Sequence, residues 1–231
     1  MSWYGITNFD VKLPSVLHVS FWCSRMSSSY LQNANGPAAE AILTFSDSVM
    51  LLVLPIAFGV FLFIISSLLS VNLHRFSVEH QALEFVWTRV PALALLVLAA
   101  PSLSLLYLLD EVGVPSSTTK VVGHQWYWGY EAADLRPFSF ESYSYSSPLR
   151  LLGTDTSIAL HSQLVLRLLI TAADVLHSWT IPAMGLKADA VPGRLNQLST
   201  FLERTGVFYG QCSEICGSNH SFMPIKAEVL S

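Results

Sequence analysis

Two long apolar runs give the first half of this chain the pattern of a membrane-spanning segment, whereas the C-terminal half consists of short apolar runs separated by turn residues. Residues 49–71 contain no charged side chain, and neither do residues 90–109. A helix of about 20 apolar residues crosses the hydrocarbon core of a bilayer, so each run predicts a transmembrane helix. Buried helices of a globular core are the alternative, but neither run has the polar face that such helices normally carry. Proline at positions 55, 91 and 101 does not oppose the prediction, because membrane helices tolerate it.

The charges that flank the two runs predict an orientation. The loop between them, residues 74–89, carries Arg75 and Arg89, whereas the opposite flanks carry Asp47, Asp110 and Glu111. By the positive-inside rule the loop faces the cytoplasm or matrix, and both termini lie on the other side of the membrane. We therefore expect residues 36–111 to form a transmembrane hairpin.

Residues 1–35 form an N-terminal extension of different character. They contain neither the basic and apolar regions of a secretory signal nor the composition of a transit peptide. Cys23 stands alone there. A lipid anchor or an intersubunit bridge would use it, but an unpaired cysteine is the interpretation we favour.

The C-terminal part, residues 118–231, alternates short apolar runs with turn residues, as β-strands do. Such a pattern predicts a small β-sandwich or Greek-key barrel, and it also allows an immunoglobulin-like domain. The whole chain is thus predicted to be an α+β membrane protein, a two-helix hairpin followed by an all-β domain. The predicted strands are 121–130, 138–145, 149–152, 163–172, 207–211 and 225–230.

The composition agrees with a membrane protein that carries one modest extramembrane domain. Charged residues make up 12% of the chain, against about 25% in typical soluble domains. The formal net charge is −4, and we expect no nucleic-acid partner.

A cluster of metal-binding residue types lies near the C-terminus. Cys212, Cys216, His220 and Met223 follow one another within twelve positions, and His177 lies 35 positions before Cys212. Loops at one end of a β-sandwich are close in space, so His177 can join the others. Thiols, imidazoles and a thioether together form a soft ligand set, which favours copper over harder divalent metals.

Two alternatives to copper remain open from the residues alone. A Cys212–Cys216 disulfide suits an oxidising compartment but leaves His220 and Met223 without a role. A zinc site with two cysteines and two histidines is also typical of proteins, but it does not use Met223. Copper uses all five residues and is the interpretation we favour.

Three segments resemble subunit II of the haem–copper cytochrome c oxidases. They are GHQWYWGYE at 123–131, DVLHSWTIPAMGLKADAVPGRLNQ at 174–197 and YGQCSEICGSNHSFMPI at 209–225. The resemblance extends over both apolar runs. It implies that the β domain is a cupredoxin, a Greek-key fold, that holds a binuclear copper centre called CuA.

The resemblance also implies how the ligands are divided. Cys212 and Cys216 would bridge two coppers, and His177 and His220 would each bind one of them. Met223 would be a weak ligand of one copper and the carbonyl of Glu214 a weak ligand of the other. The Glu214 carboxylate would bind magnesium shared with subunit I, since carboxylate oxygen suits that ion.

By the same resemblance, Trp126 receives electrons from the donor protein, with Tyr127 beside it, whereas Trp128 is a core residue. Alternation along one strand would place Trp126 and Trp128 on one face and Tyr127 on the other.

Acidic side chains are implied to form the docking face for cytochrome c, where opposite charge steers a basic partner. Each is equally an ordinary solvated acid, and Arg136 and Pro137 make this face less acidic than in the family. Glu84 is implied to lie at the mouth of a proton channel, although it is also an ordinary interfacial charge. The docking residues are Glu131, Asp134, Glu141 and Asp174.

Taken together, the resemblance implies an electron-transfer subunit. It would accept electrons from cytochrome c at CuA and pass them to haem a of subunit I, where haem a3 and CuB reduce oxygen to water with proton pumping. No bond-making chemistry is expected on this chain itself. Its partners would be subunit I, other oxidase subunits, cytochrome c and membrane lipid. Its location would be the mitochondrial inner membrane with the β domain in the intermembrane space, or alternatively a bacterial plasma membrane with a periplasmic domain.

Two other classes compete with this function. A quinol-oxidase type of subunit II has a cupredoxin without copper, but it lacks the two cysteines that are present here. A membrane-tethered copper-delivery protein or structural zinc protein would keep the cysteines without needing Trp126, Tyr127 or Glu214.

Overall fold

The computed structural model describes residues 31–71, 79–111, 113–132 and 138–231. The expectations about Cys23, Arg75, Asp134, Arg136 and Pro137, and about most of the N-terminal extension, lie outside these residues.

Two long helices form the N-terminal part of the described structure. Helix α1 spans Pro37–Leu69 and helix α2 spans Gln81–Asp110, and the two contact each other. Both are long and apolar enough to cross a membrane, with mean hydropathy of 2.8 and 2.3 in their most apolar stretches. They begin 12 and 9 residues before the uncharged runs, so each first turn includes a charged residue, Glu40 in α1 and Glu84 in α2. The prolines at positions 55, 91 and 101 lie inside the helices.

The C-terminal part is built from short strands joined by turns. Strand β5 shows the period of two directly, since every second side chain along it is buried. The strands in the described residues are β1 Ser117–His124, β2 Tyr127–Ala132, β3 Phe138–Ser142, β4 Ile158–His161, β5 Val165–Ala172, β6 His177–Ile181, β7 Leu186–Ala190, β8 Asn196–Phe201, β9 Gly206–Gln211 and β10 Pro224–Leu230.

These strands form two larger sheets and one two-stranded ribbon. The first sheet has the order β3-β2-β1-β5-β8, the second has the order β4-β10-β9, and β6 pairs with β7. The pairs β1–β5 and β4–β10 are parallel, and the other pairs are antiparallel. Strand β6 also contacts β1 and β9, so the strand that carries His177 lies between the two larger sheets.

The core is made by the facing sides of these sheets. Trp128 on β2 and Trp179 on β6 are fully buried, together with apolar residues of β5, β9 and β10. Full burial of a large apolar side chain contributes about 2–3 kcal/mol, so this cluster supplies most of the stability of the domain.

The observed strands correct the predicted ones in three places. Residues 121–130 form two strands joined by a turn at Gln125 and Trp126, and residues 149–152 lie in a turn. Strands β4, β6, β7 and β8 were missed. Strand β4 alternates over only four residues, β6 is buried at nearly every position, and β7 and β8 alternate irregularly. None of the four therefore gives a sustained period of two in the sequence.

The segment before α1 joins the membrane hairpin to the β domain. Asn35 is fully buried, and its side-chain Oδ1 accepts hydrogen bonds from the backbone N–H groups of Glu203 (3.2 Å) and Arg204 (2.7 Å). Its Nδ2 donates to the Arg204 carbonyl at 3.1 Å, and its backbone N–H donates to the Ala183 carbonyl at 2.7 Å. Ala183 follows β6 by two residues, so this junction is attached to the strand that holds His177.

Candidate metal centre

The candidate ligands come from two places in the β domain. His177 is the first residue of β6, whereas the other ligands lie between the ends of β9 and β10. The register places Gln211 opposite Pro224, and the Cys212 N–H donates to the Met223 carbonyl at 3.1 Å. The Ser213 N–H donates to the Ser178 carbonyl at 3.0 Å, which ties the loop to β6. The antiparallel pair therefore closes residues 212–223 into a loop beside His177.

The two thiols lie between the two imidazoles. The Cys212 and Cys216 sulfurs are 3.9 Å apart. His177 Nδ1 lies 3.9 Å from the Cys212 sulfur, and His220 Nδ1 lies 3.5 Å from the Cys216 sulfur. The Glu214 carbonyl oxygen lies 3.3 Å from the Cys212 sulfur. A disulfide needs a sulfur–sulfur distance of about 2.05 Å, so both thiols are free and the disulfide alternative is not supported.

The centre is shielded from water. His177, Cys212, Cys216 and Met223 are buried, and His220 is half-buried. Burial and the nearby charge of Cys212 raise the pKa of the Cys216 thiol well above its usual value. Burial also opposes ionisation of Cys212, but contacts with His177 and with the backbone at Glu214 and Ser178 bring the pKa of this thiol below its usual value. The protein alone therefore favours one thiolate, and a second needs the positive charge of a bound metal.

The donor set fits copper. The two sulfurs are close enough to share metal ions, and one imidazole nitrogen lies beside each of them. Thiolates and the buried thioether are soft ligands and imidazoles are borderline ones, whereas the Glu214 carbonyl is the one hard donor. Among the described residues, His177, Cys212 and Cys216 form the one group of three metal-ligating side chains that lie together.

Asp174 has a contact that the docking hypothesis did not anticipate. Its Oδ1 lies 2.9 Å from His177 Nε2 and accepts a hydrogen bond from the Val175 N–H at 2.6 Å, while its Oδ2 accepts one from the Gln125 N–H at 2.6 Å. Burial raises the pKa of this carboxyl, but these hydrogen bonds outweigh it, so the pKa lies below its usual value. Because Nε2 of His177 is occupied, Nδ1 is the nitrogen left to face a metal. The sequence could have indicated this role, because Asp174 lies only three residues before His177, a candidate metal ligand.

Trp126 lies in the turn between β1 and β2, so the single-strand alternation of residues 126–128 is wrong. Its half-buried indole packs against the core cluster. Tyr127 stacks on His124 with ring centroids 4.6 Å apart and on Tyr143 with centroids 4.5 Å apart. Trp128 is fully buried and packs edge-on against the His177 ring, with centroids 5.9 Å apart.

Gly123 is a site residue that the sequence analysis missed. A Cβ atom at this position would lie 2.8 Å from His177 Cδ2 and 3.0 Å from its Cγ. Glycine therefore leaves the space that the buried imidazole occupies. Gly123 is the first residue of the 123–131 segment. The reason for a glycine there is its close packing, on β1, against His177 on β6, which the sequence does not reveal.

The remaining candidates lie apart from the ligands or already have partners. Glu131 forms an ion pair with Lys120 at 3.0 Å, and Glu141 accepts a hydrogen bond from the Tyr143 hydroxyl at 2.6 Å. Both acids are exposed on the neighbouring strands β2 and β3. Glu84 is exposed in the first turn of α2 in the membrane hairpin, and the Glu214 side chain is half-buried within the metal loop.

The fold and site together define a class of protein: a membrane-anchored β domain with a buried centre of thiol, imidazole and thioether ligands. Comparison with known proteins gives the family. The family model for the transmembrane domain of cytochrome c oxidase subunit II matches residues 24–105, and the model for its periplasmic domain matches residues 117–230. The chain belongs to the cytochrome c oxidase subunit II family.

Individual relatives cover most of the chain. It is 46% identical over 207 residues to cytochrome c oxidase subunit 2 of Periplaneta americana and 47% identical over 207 residues to that of Choristoneura rosaceana. Each comparison covers 87% of this chain and 91% of the relative. The solved periplasmic domain of subunit II of cytochrome oxidase from Bradyrhizobium japonicum is similar with a TM-score of 0.51 and 44% identity, covering 52% of this chain and 88% of that one.

These findings confirm the predicted fold class, a two-helix membrane hairpin followed by a cupredoxin-type β domain. Its relatives are subunits of cytochrome c oxidase, so the chain is a subunit of a membrane-bound oxidoreductase complex that contains other subunits.

Proposed function

We propose that this chain takes single electrons from cytochrome c at a binuclear copper centre and passes them to haem a of subunit I. The observation that carries the proposal is the pair of free, buried thiols 3.9 Å apart, each beside its own imidazole nitrogen. When bound, the copper pair supplies the one-electron redox chemistry. Each electron leaves reduced cytochrome c, which becomes oxidised, and oxygen reduction takes place on another subunit.

The chain's own residues prepare the site in two ways. The hydrogen bonds among Asp174, His177 and the loop fix the ligands on strands of a packed sandwich, so the ligands need little rearrangement when charge changes. Burial of both cysteines and Met223 keeps water from the sulfurs. Cys212 and Cys216 would supply the two thiolates that hold the copper pair, and His177 and His220 would supply the imidazole nitrogens. The weak contacts are then Met223 and the Glu214 carbonyl.

Purification of the full chain after copper loading tests the metal content. We expect two coppers per chain and an electron paramagnetic resonance signal from one unpaired electron shared by two copper nuclei. The Cys216→Ser variant should lose this signal, and Cys23→Ser, which changes the remaining cysteine of the chain, should keep it. A single zinc ion, a single copper or a Cys212–Cys216 disulfide would contradict the proposal.

Trp126 is the residue that we assign to electron uptake from cytochrome c, with Tyr127 beside it. Its indole packs on the core and lies close to Gly217, immediately after a cysteine ligand. In the assembled oxidase, Trp126→Phe should slow oxidation of reduced cytochrome c while leaving the copper spectrum unchanged. Trp87→Phe, in helix α2, is the matched control. A lost copper spectrum in Trp126→Phe would mean that the tryptophan is structural.

Other roles complete the proposal. The exposed acids Glu131 and Glu141 would attract a basic cytochrome c, whereas Asp174 is held by His177 and Gln125 and contributes less to docking. The Glu214 carboxylate would bind magnesium at the boundary with subunit I, and Glu84 would lie at the mouth of a proton channel.

Because the two relatives are insect proteins, the mitochondrial inner membrane is the location that we favour.

A further inference from the structure

The direction of the Trp126 side chain depends on what holds the turn that carries it. Gln125 and Trp126 alone connect β1 to β2, since His124 pairs with Tyr127. We call these two residues the uptake turn. Besides the strands that it joins, this turn makes two hydrogen bonds to other segments of the domain.

The first bond joins the uptake turn to the histidine ligand. The backbone N–H of Gln125 donates to Asp174 Oδ2 at 2.6 Å, and the other oxygen of the same carboxylate meets His177 Nε2 at 2.9 Å. One carboxylate therefore connects the turn with His177.

The second bond joins the uptake turn to the cysteine ligand. Gln125 Nε2 donates to the Cys216 carbonyl at 2.7 Å. The next residue, Gly217, has φ +125°, a conformation that other residues rarely adopt. A Cβ atom there would lie 3.1 Å from Gln125 Nε2 and 3.2 Å from both Nε1 and Cζ2 of Trp126. The glycine thus lets the Gln125 amide and the Trp126 indole edge lie directly on the peptide that follows the ligand.

We propose that Gln125 is a positioning residue for electron uptake, whose side-chain amide holds the Trp126 indole against the Cys216–Gly217 peptide. The inference rests on the proposed function, in which Trp126 is the electron acceptor. Electron transfer slows steeply as the gap between donor and acceptor widens. The indole meets the ligand loop through packing and not through a hydrogen bond of its own, since its Nε1 is buried without a hydrogen-bond partner among the described residues. The Gln125 amide is then the bond that keeps this gap closed.

The kinetic test uses the assembled oxidase and a double-mutant cycle. Gln125→Leu removes the amide at similar side-chain size, and we expect kcat for cytochrome c oxidation to fall about fivefold to tenfold, the effect of one hydrogen bond, with KM and the copper spectrum unchanged. Gln197→Leu, an exposed glutamine on β8, is the matched control. In a Trp126→Phe background, Gln125→Leu should have no further effect, because the glutamine acts through the tryptophan.

A second readout is independent of activity and of copper. In the metal-free full chain, hydrogen exchange at the backbone of the uptake turn should become about fivefold to tenfold faster in Gln125→Leu, as expected for loss of one hydrogen bond, and should stay unchanged in Gln197→Leu.

The outcomes separate this inference from the function on which it rests. Unchanged kcat and exchange in Gln125→Leu, or a raised KM with unchanged kcat, would overturn the positioning role. Additive losses in the double variant would also overturn it. If Trp126→Phe itself leaves electron uptake unchanged, or the wild-type oxidase lacks the binuclear copper signal, the proposed function fails instead.

Discussion

Asn35 offers a direct test of how the membrane hairpin is joined to the β domain. It lies two residues before α1, is fully buried, and makes three side-chain hydrogen bonds to the backbone of Glu203 and Arg204. The Asn35→Ala substitution removes all three bonds and leaves the N–H groups of Glu203 and Arg204 and the Arg204 carbonyl without this partner. We expect it to weaken the junction while leaving the sheets folded.

The size of the effect follows from the bonds that are lost. At about 1 kcal/mol for each of three hydrogen bonds, the loss of local stability is about 3 kcal/mol. A change of that size raises the open population of the junction about a hundredfold. Arg204 retains its own contacts, because its Nη2 donates to the backbone carbonyls of Asn33 (3.2 Å) and Ala34. These bonds keep the segment near the domain even when the asparagine is gone.

Hydrogen exchange of the Glu203 and Arg204 amides in the detergent-solubilised chain measures this opening. Asn33→Ala is a matched control, since Asn33 is exposed and contributes only its backbone carbonyl to the contact with Arg204. Exchange should rise strongly in Asn35→Ala and stay near wild type in Asn33→Ala. Equal exchange in the two variants would refute the reasoning that the buried side chain holds the junction.

Three further substitutions test the centre and its supports. Gly123→Ala should displace His177, because the new Cβ would lie 2.8 Å from its Cδ2. We expect this variant to lose the binuclear copper signal, and an unchanged signal would contradict the packing argument. Asp174→Asn should lower copper affinity about tenfold to a hundredfold in a competition titration, as loss of the carboxylate that orients a metal histidine usually does. Equal affinities of Asp174→Asn and of Asp189→Asn, an exposed acid on β7, would argue against that role. Tyr130→Phe should destabilise the domain by about 1–2 kcal/mol in chemical unfolding, because the buried Trp179 Nε1 donates to the Tyr130 hydroxyl at 3.3 Å. An unchanged unfolding midpoint would show that this hydrogen bond does not contribute to stability.

The sequence by itself determined the features that depend on composition and local order. Two uncharged runs predicted two membrane helices, since each must place about 20 apolar residues in lipid. The spacing from Cys212 to Met223 predicted a soft metal site, since the ligands follow one another within a single loop. Strands such as β5 were predicted correctly for the same reason, because alternating burial along one strand depends only on neighbouring residues.

The tertiary structure decided everything that depends on residues far apart in the chain. It placed Gln125 against Asp174 and against Cys216, contacts for which no local pattern exists. It also placed Trp126 in a turn, although its neighbours read as one continuous strand, because antiparallel pairing of β1 with β2 requires the chain to reverse there. Roles of this kind depend on hydrogen bonds and close packing between segments, and the alternation of polar and apolar residues says which side is buried but not what lies against it.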